Sequence, residues 1–522
     1  RITRNTRQFL NMNSRQAIFL HHTFRDQNRV FEVVTVPRHE ADEDVAAERE
    51  ISHRLSGIDF PQVERELWLI DQDINDRGIL IDLQFAKNAA RLNGEYTDEL
   101  ADNAISSLGI SNPNSTKQIK EFCESKGYPI STVQKDDVLR VLDDPKAPEE
   151  VKELMRARLG LRKASIKKYT SIIATAGDDH RVRGLFQYYG ASRTGRWAGR
   201  LVQVQNLPQN HIDWLDNARD TVARGDENAA GDIQILHGDM SDTLSQLIRT
   251  AFIAGENRTF VVADFSAIEA RVIAWLAGED WRLDVFRSHG KIYEASAAAM
   301  FGVPLESITK GSPMRQKGKV AELALGYQGG APALERMGGA SMGMSQEEMR
   351  DVVLRWRAAN KKIVDLWAAC ERAAVKAVLL ATKVELMYGL CFAVENDWLT
   401  IRLPSTRKLY YFKPKIVEGK YGNSAVIYHD YVGEINQDGT PKLREEDTYG
   451  GKFVENIVQA VARDCLAEAI LNAAKAGHRI EMHVHDEIII NAPIERAEAA
   501  LKEVCAIMGQ ELGWALGLPL GA

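Results

Sequence analysis

The sequence predicts an α+β protein. Residues 61 to about 176 carry mostly helical spacing, and after the turn-like Gly177, Asp178 and Asp179 mixed strands and helices continue to the end. Near the end, 480-IEMHVHDEIIINAP-493 reads as strand, tight reversal, strand. A chain of 522 residues allows about two to four domains or one large multi-lobed unit. Its 45% hydrophobic and 27% charged content is ordinary for a globular protein, and no run of about eighteen apolar residues suggests a membrane span. Cys123, Cys370, Cys391, Cys465 and Cys505 form no C-x-x-C pair, which points to reduced intracellular thiols and away from thiolate metal binding. A net charge of −7 argues against indiscriminate polyanion binding and leaves local basic grooves open.

Residues 1–57 are polar and mixed, with one acidic helical stretch, 39-HEADEDVAAEREISHRL-55. Heptad-like spacing in 64-ERELWLIDQDINDRGILID-82 predicts a helix. The segment 150-EVKELMRARLGLRKASIKKY-169 places Arg156, Arg158, Arg162, Lys163, Lys167 and Lys168 on one long helix or helix pair, either a solvated face or a grip on a phosphate backbone. The loop 188-YYGASRTGRWAGRLVQVQNLPQN-210 sets glycines and arginines before the amides of Gln203, Gln205 and Asn206, groups that can reach phosphates and minor-groove base edges.

Two carboxylate clusters lie far apart. In 259-TFVVADFSAIEARVIAWLAGE-279 a short β-branched and aromatic run predicts a buried strand ending at Asp264, with Ser266 opening a helix through Leu276. Ser266 and Glu269 match a capping box, which gives Glu269 a structural reading. Asp264 and Asp486 would supply two carboxylates from two strands, a donor set suited to a hard divalent cation completed by water and phosphate oxygens. The HDE tip of the hairpin is otherwise a solvated turn. In 312-SPMRQKGKVAELALGYQGG-330 a Ser cap and a proline at the first helical position predict a helix. Arg315, Lys319, Leu323 and Tyr327 follow at i+4 steps, a stripe that is either an amphipathic surface or a match to a triphosphate with its sugar and base.

Together these segments resemble family A DNA polymerases, the group of bacterial DNA polymerase I and many phage replicative enzymes. Motif A of that family, of the form DYSQIELR, is similar to 264-DFSAIEAR-271. Motif B, R-x-x-x-K-x-x-x-F-x-x-x-Y-G, is similar to Arg315, Lys319, Leu323 and Tyr327, and motif C, VHDE, is intact at Val484 to Glu487. The upstream TGR and QNIP signatures are matched by 194-TGR-196 and 205-QNLP-208. The resemblance spans about residues 60 to 520.

It implies a right-hand fold: palm entry and thumb over 61–180 (thumb about 85–180), an antiparallel-sheet palm with motif A over 181–281, helical fingers over 282–395, palm with motif C over 396–522, and a short N-terminal remnant of an exonuclease-like domain over 1–60. Asp264, Asp486 and the Phe265 carbonyl would hold two magnesium ions, with manganese admitted as a substitute, and Glu487 would support them. Lys319 would neutralise the developing pyrophosphate and Arg315 would bind the outer phosphates. Tyr327 and Leu323 would pack on the nascent pair, Glu269 would crowd the sugar 2′ position, and Tyr293 stands where the family often has a fingers histidine. Arg196, Gln205, Asn206, Gln459 and His485 would touch the primer terminus or minor groove, and Arg162, Lys163 and Lys167 the DNA backbone. The implied partners are primer–template DNA and dNTPs, with no membrane, in the cytoplasm of a host cell. Leu323 replaces the usual Phe or Tyr, Ala267 the motif A glutamine, and Gln328 the glycine after the motif B tyrosine. With 448-TYGGKFVENIVQAVARD-464, these departures favour a phage or prophage enzyme.

The sequence reading also expects no proofreading by this chain. The stretch 39-HEADEDVAAEREI-51 resembles the tail of a 3′→5′ exonuclease domain with Asp44 in the place of its final acid, but Glu40 stands where a tyrosine belongs and no D-x-E strand precedes it. A mismatched primer incubated with magnesium and no dNTP should stay full length. Shortening that survives in Asp44→Ala but not in Asp486→Ala would overturn this expectation.

Overall fold

The computed structural model describes residues 45–51, 53, 61–419, 422–438 and 440–522. The expected remnant acids, Glu40 and Asp44, lie outside the described residues. The first half is helical as its spacing predicts: α1 (Gln62–Arg77), α2 (Leu83–Leu108), α3 (Thr116–Ser125), α4 (Lys135–Asp143), α5 (Glu149–Leu161) and α6 (Lys167–Thr175). Leu67, Trp68, Asp71 and Ile74 form the buried face of α1, the heptad-like stripe seen in the sequence. Asp82 caps α2 by accepting from the Phe85 amide, and Gly109 ends it in the left-handed region at φ 69°. Ile119, Cys123, Val138, Val141, Val151, Leu154 and Met155 form a small core of α3 to α5, separate from the main one.

The basic run is a helix pair, α5 and α6 joined by a short 3-10 turn, and its cations do not share a face. Arg158 is 2% exposed and donates to the Asn114 carbonyl at 2.9 Å. Lys163 pairs with Asp242, and Lys168 donates to the Val202 carbonyl at 2.6 Å. Of the three predicted backbone contacts, Arg162 and Lys167 are exposed and Lys163 is half-buried; Arg156 of the same run is exposed as well. The spacing marked the helices correctly, but in this run neighbouring elements offer carbonyls and a carboxylate that draw the other cations inward.

The second half holds β1 (Arg258–Asp264), α7 (Ile268–Ala277), α8 (Ile292–Phe301), α9 (Pro313–Leu325), α10 (Gln346–Ala359) and α11 (Lys361–Leu380). Then come β2 (Val384–Glu385), β3 (Cys391–Glu395), β4 (Trp398–Arg402), β5 (Lys408–Glu418), β6 (Ser424–Ile435), β7 (Pro441–Asp447), α12 (Gly450–Lys475), β8 (Ile480–Val484), β9 (Glu487–Pro493) and α13 (Ala497–Met508). Strands β2 to β7 form a six-stranded antiparallel meander in sequence order, running across residue 395, while β8, β9 and β1 form a three-stranded antiparallel sheet in that order. All five residues of β8 are buried, including the polar Glu481 and His483 that alternate with Ile480, Met482 and Val484. Glu481 is covered by Arg181 at 3.1 Å and Arg479 at 3.1 Å.

Helix α12 is buried on nearly every side, against α7 and α11. Its entry needs glycine. A Cβ on Gly450 would lie 2.1 Å from the Trp367 carbonyl oxygen, and one on Gly451 would lie 2.5 Å from that of Tyr327. Deep on α12, Arg463 makes two 2.7 Å bonds to the Glu64 carboxylate on α1 and donates to the Gly195 carbonyl at 3.1 Å. Arg407 holds the neighbouring Asp464 at 2.7 Å. Burial pushes the Glu64 carboxyl up, but the charge and hydrogen bonds of Arg463 outweigh it and hold the pKa at about 2. The folded state therefore binds that proton less tightly than the unfolded chain, and the contribution is present above the ordinary glutamate range and lost as pH falls toward about 2.

Removing one partner strands a buried charge, which typically costs about 3–5 kcal/mol. Arg463→Ala should lose about that much stability in urea unfolding at pH 7, and Arg463→Met with Glu64→Gln should recover most of it. Equal losses in the single and double variants would contradict this role for the pair.

Candidate active site

The site is built where β1 ends beside the β8–β9 turn. The antiparallel register sets Asp264 opposite Glu487, and the Phe265 amide donates to the Asp486 carbonyl at 3.2 Å. Val484 pairs with Glu487, so His485 and Asp486 are the whole two-residue turn. His485 takes φ 53°, left-handed space that costs a non-glycine residue on the order of 1 kcal/mol. Its Nε2–H donates to the Gln205 carbonyl at 2.9 Å, which fastens the turn to the QNLP segment. Three carboxylates thus meet at one sheet end.

The capping box expected at Ser266 and Glu269 does not form. Helix α7 starts at Ile268, behind Ala267 at φ 49°, with no side-chain cap. The Ser266 amide instead donates to the Gly521 carbonyl at 2.8 Å, and Arg271 ties the Ser266 and Pro519 carbonyls at 2.6 Å each, so the chain end closes over this loop. Glu269 is left free to face the site. It accepts from Arg196 Nη2 at 2.9 Å and from the Tyr327 hydroxyl at 2.5 Å, and the same Arg196 Nη2 lies 3.5 Å from Asp486 Oδ1.

Helix α9 forms as predicted, with Ser312 accepting from the Arg315 amide at 3.2 Å and Pro313 at its start. It ends at Leu325, so Tyr327 sits just past it. Gln328 adopts φ 67°, the backbone geometry that glycine usually supplies, and its side-chain oxygen accepts from the Gly451 amide at 2.8 Å, which anchors the strained residue to α12. Arg315 pairs with Glu294 at 2.7 Å and lies 5.4 Å from the Tyr293 ring centre. Lys319 has no ion-pair or hydrogen-bond partner among the described residues, and Leu323 is 51% exposed. Burial raises the Tyr293 phenol, and the charges of Glu322 and Asp264 add to it while Arg315 opposes, so Tyr293 senses both the cation of α9 and an acid of the sheet end.

Other predicted contacts are scattered. Asn206 bonds Gln203 at 3.3 Å, and Gln459 bonds Glu455 of its own helix at 3.4 Å. The Gln205 amide is buried, and neither its nitrogen nor its oxygen is hydrogen-bonded among the described residues. The sequence reading missed Trp197 and Asp71: the Trp197 indole donates to Asp71 Oδ1 at 2.9 Å and so fixes the loop that carries Arg196. The available signal was an aspartate inside the apolar stripe of α1.

Burial raises the pKa values of Asp264, Asp486 and Glu487. Glu487 raises Asp264 further; Arg196 opposes the rise at Asp486, where Glu269 and Asp264 add to it; and Arg249 and His485 oppose it at Glu487. Crowded acids of this kind are relieved by a cation. Among the described residues no group of three or more histidine, cysteine, aspartate or glutamate side chains is placed to hold a metal ion alone. Two carboxylates that need added oxygens suit a hard divalent cation that takes few protein ligands.

Residues 84–386 match DNA polymerase family A. The DNA polymerase of Bacillus phage SP02 is 50% identical over 481 residues, covering 92% of this chain and 72% of that protein. The thermostable DNA polymerase I of Thermus aquaticus is 26% identical over 282 residues, which is 53% of this chain and 27% of that one. Among solved structures, the POL domain of Pol1 from M. smegmatis, in complex with DNA primer-template and dNTP, matches with a TM-score of 0.60 at 18% identity, covering 92% of this chain and 71% of that chain. The right-hand polymerase fold expected from the motifs is therefore present.

The raised Asp264 pKa has a thermodynamic consequence. The folded state binds that proton more tightly than the unfolded chain, so stability present at acid pH is lost as pH rises past the ordinary aspartate range. Metal-free Asp264→Asn should melt above the metal-free wild type at neutral pH, with the gap closing in acid. A lower melting temperature at neutral pH, or a gap that does not vary with pH, would contradict the crowding.

Proposed function

Because the chain belongs to DNA polymerase family A, we propose that it extends a primer 3′-OH by template-directed attack on the α-phosphate of a dNTP, with pyrophosphate as leaving group, in phage or prophage DNA replication within the host cytoplasm. Among the described residues no helix is long and apolar enough to cross a membrane. The observation that carries the reading is the continuous chain Tyr327–Glu269–Arg196–Asp486, linked at 2.5, 2.9 and 3.5 Å, which joins the end of α9 to the acids of the sheet.

Two magnesium ions at Asp264, Asp486 and the Phe265 carbonyl would supply charge to the attacking and leaving oxygens. Glu487, the register partner of Asp264, would sit beside the two acids in support of the ions. Lys319, without a hydrogen-bond or ion-pair partner among the described residues, is available to neutralise the leaving pyrophosphate and to deliver a proton to it. Arg315 meets the outer phosphates beside Tyr293, and the exposed Leu323 with Tyr327 gives a flat apolar surface to the nascent pair. Arg196, Gln205, Asn206, Gln459 and His485 serve the primer terminus and minor groove. The unpartnered amide of Gln205 is suited to a base edge, which offers both donors and acceptors. Arg162 and Lys167, both exposed, are the better placed of the backbone contacts; Lys163 would have to exchange Asp242 for phosphate.

Asp486→Ala should lower the single-turnover extension rate by ~10²-fold or more while primer–template affinity changes little, because the acid serves charge development and not DNA grip. Normal chemistry with lost DNA binding would contradict the assignment. Glu269 makes no cap, so its bulk is free to exclude a ribose hydroxyl. Glu269→Ala should raise ribonucleotide incorporation by about 10–100-fold relative to deoxyribonucleotide. Unchanged selectivity with a lower melting temperature would assign Glu269 to packing alone.

A further inference from the structure

Trp197 directly follows Arg196, and three distant elements converge on its ring. Its Nε1–H donates to Asp71 Oδ1 on α1 at 2.9 Å. The His483 ring on β8 lies 4.7 Å away, and the Arg463 guanidinium on α12 lies 5.1 Å from its centre. Arg463 also holds the carbonyl of Gly195, the residue before Arg196. Thus the loop is clamped on both sides of the arginine that reaches Glu269 and Asp486.

The clamp is built from groups that are costly to bury without purpose. Asp71 and His483 are each 2% exposed. Asp71 Oδ2 accepts from Asn75 and Gln72, both at 3.2 Å, and Oδ1 is 3.8 Å from His483 Nε2, which makes no shorter hydrogen bond among the described residues. An apolar filler would pack this space without the desolvation penalty of a buried carboxylate. What the carboxylate adds is direction: it accepts from one indole nitrogen and so fixes the rotation of the ring and the path of the backbone beside it. His483 stands three residues before Asp486 on the same strand and turn, so the same node references both Arg196 and Asp486 to α1.

We propose that Trp197, oriented by Asp71, is a positioning residue for chain extension, setting the distance between Arg196 and the Asp486 turn at which the primer terminus is held. The proposal rests on the reading of Arg196 as a primer-terminus contact. A shift of about 1 Å in such a group can cost ~10²-fold in rate.

The test is single-turnover addition of one dNTP to a matched primer by wild type, Trp197→Phe, Arg196→Ala and the double variant, with primer–template affinity and thermal unfolding measured alongside. Trp197→Phe keeps an aromatic ring and deletes the donor. It should slow addition by about 10–100-fold with little change in DNA affinity, and the double variant should be no slower than Arg196→Ala alone. Wild-type rates in Trp197→Phe, or a loss that multiplies undiminished in the Arg196→Ala background, would overturn the positioning role. Wild-type rates in Arg196→Ala would instead remove the reading on which it rests. If Trp197→Phe does not fold, Asp71→Asn replaces it: a smaller loss that vanishes in the Arg196→Ala background supports the proposal, and one that multiplies overturns it.

Discussion

The pairing of β1 with β9 constrains everything else in this structure, because it sets Asp264 opposite Glu487 and brings Asp486 within one turn of both. A one-residue slip in that register would turn Asp264 to the other face and dissolve the acid cluster. The pairing is secured by burial: Ile488, Ile489 and Ile490 of β9 are all in the core, with Val261 and Ala263 of β1. Apolar burial at roughly 25 cal/mol per Å² drives such packing. The acids ride at its end, where their repulsion is tolerated and not favourable.

Around that cluster the protein supplies one direct cation, Arg196, and a series of buried contacts that hold it. Arg463 and Asp71 grip the residues on either side of it, Gly195 and Trp197; α12 and α1 are joined by the Arg463–Glu64 pair, and the chain end near Gly521 closes the loop after β1. Helix α9 contributes from the opposite side through Tyr327, whose hydroxyl shares Glu269 with Arg196. Of the charges proposed for chemistry, Arg196 lies 2.9 Å from Glu269 and 3.5 Å from Asp486, Arg315 pairs with Glu294 at 2.7 Å, and Lys319 has no partner among the described residues. What sets the Arg463–Glu64 pair apart is burial: Arg463 is 2% exposed and is committed to the fold, whereas the Arg315 and Lys319 side chains keep access to solvent.

Much of the site was legible because its residues recur at fixed local spacings: Arg315 to Tyr327 at i+4 steps, and the HDE tip between two apolar runs. Local rules failed where tertiary neighbours outbid them. The Ser266–Glu269 spacing fits a capping box, but Ala267 in the left-handed region and the Gly521 carbonyl redirect the loop. The basic run on α5 and α6 read as either a solvated face or a phosphate grip, and two of its cations do neither: Arg158 and Lys168 answer carbonyls more than forty and more than thirty residues away in sequence. The polar residues of β8, Glu481 and His483, are buried beside three arginines and Asp71 that come from distant segments or the same strand's edge. Buried ion pairs between distant segments leave no periodic trace, which is why Glu64, Asp71 and Arg463 were not legible as partners.

The central claim is that the sheet-end acids are a cation site completed by substrate. Its most direct measurement is manganese binding, followed by electron paramagnetic resonance, with a chain-terminated primer–template and the matching dNTP so that no turnover occurs. About two ions should bind to the wild-type complex, and Asp264→Asn and Asp486→Asn should each weaken or remove that binding. Unchanged manganese binding in both variants would contradict the account.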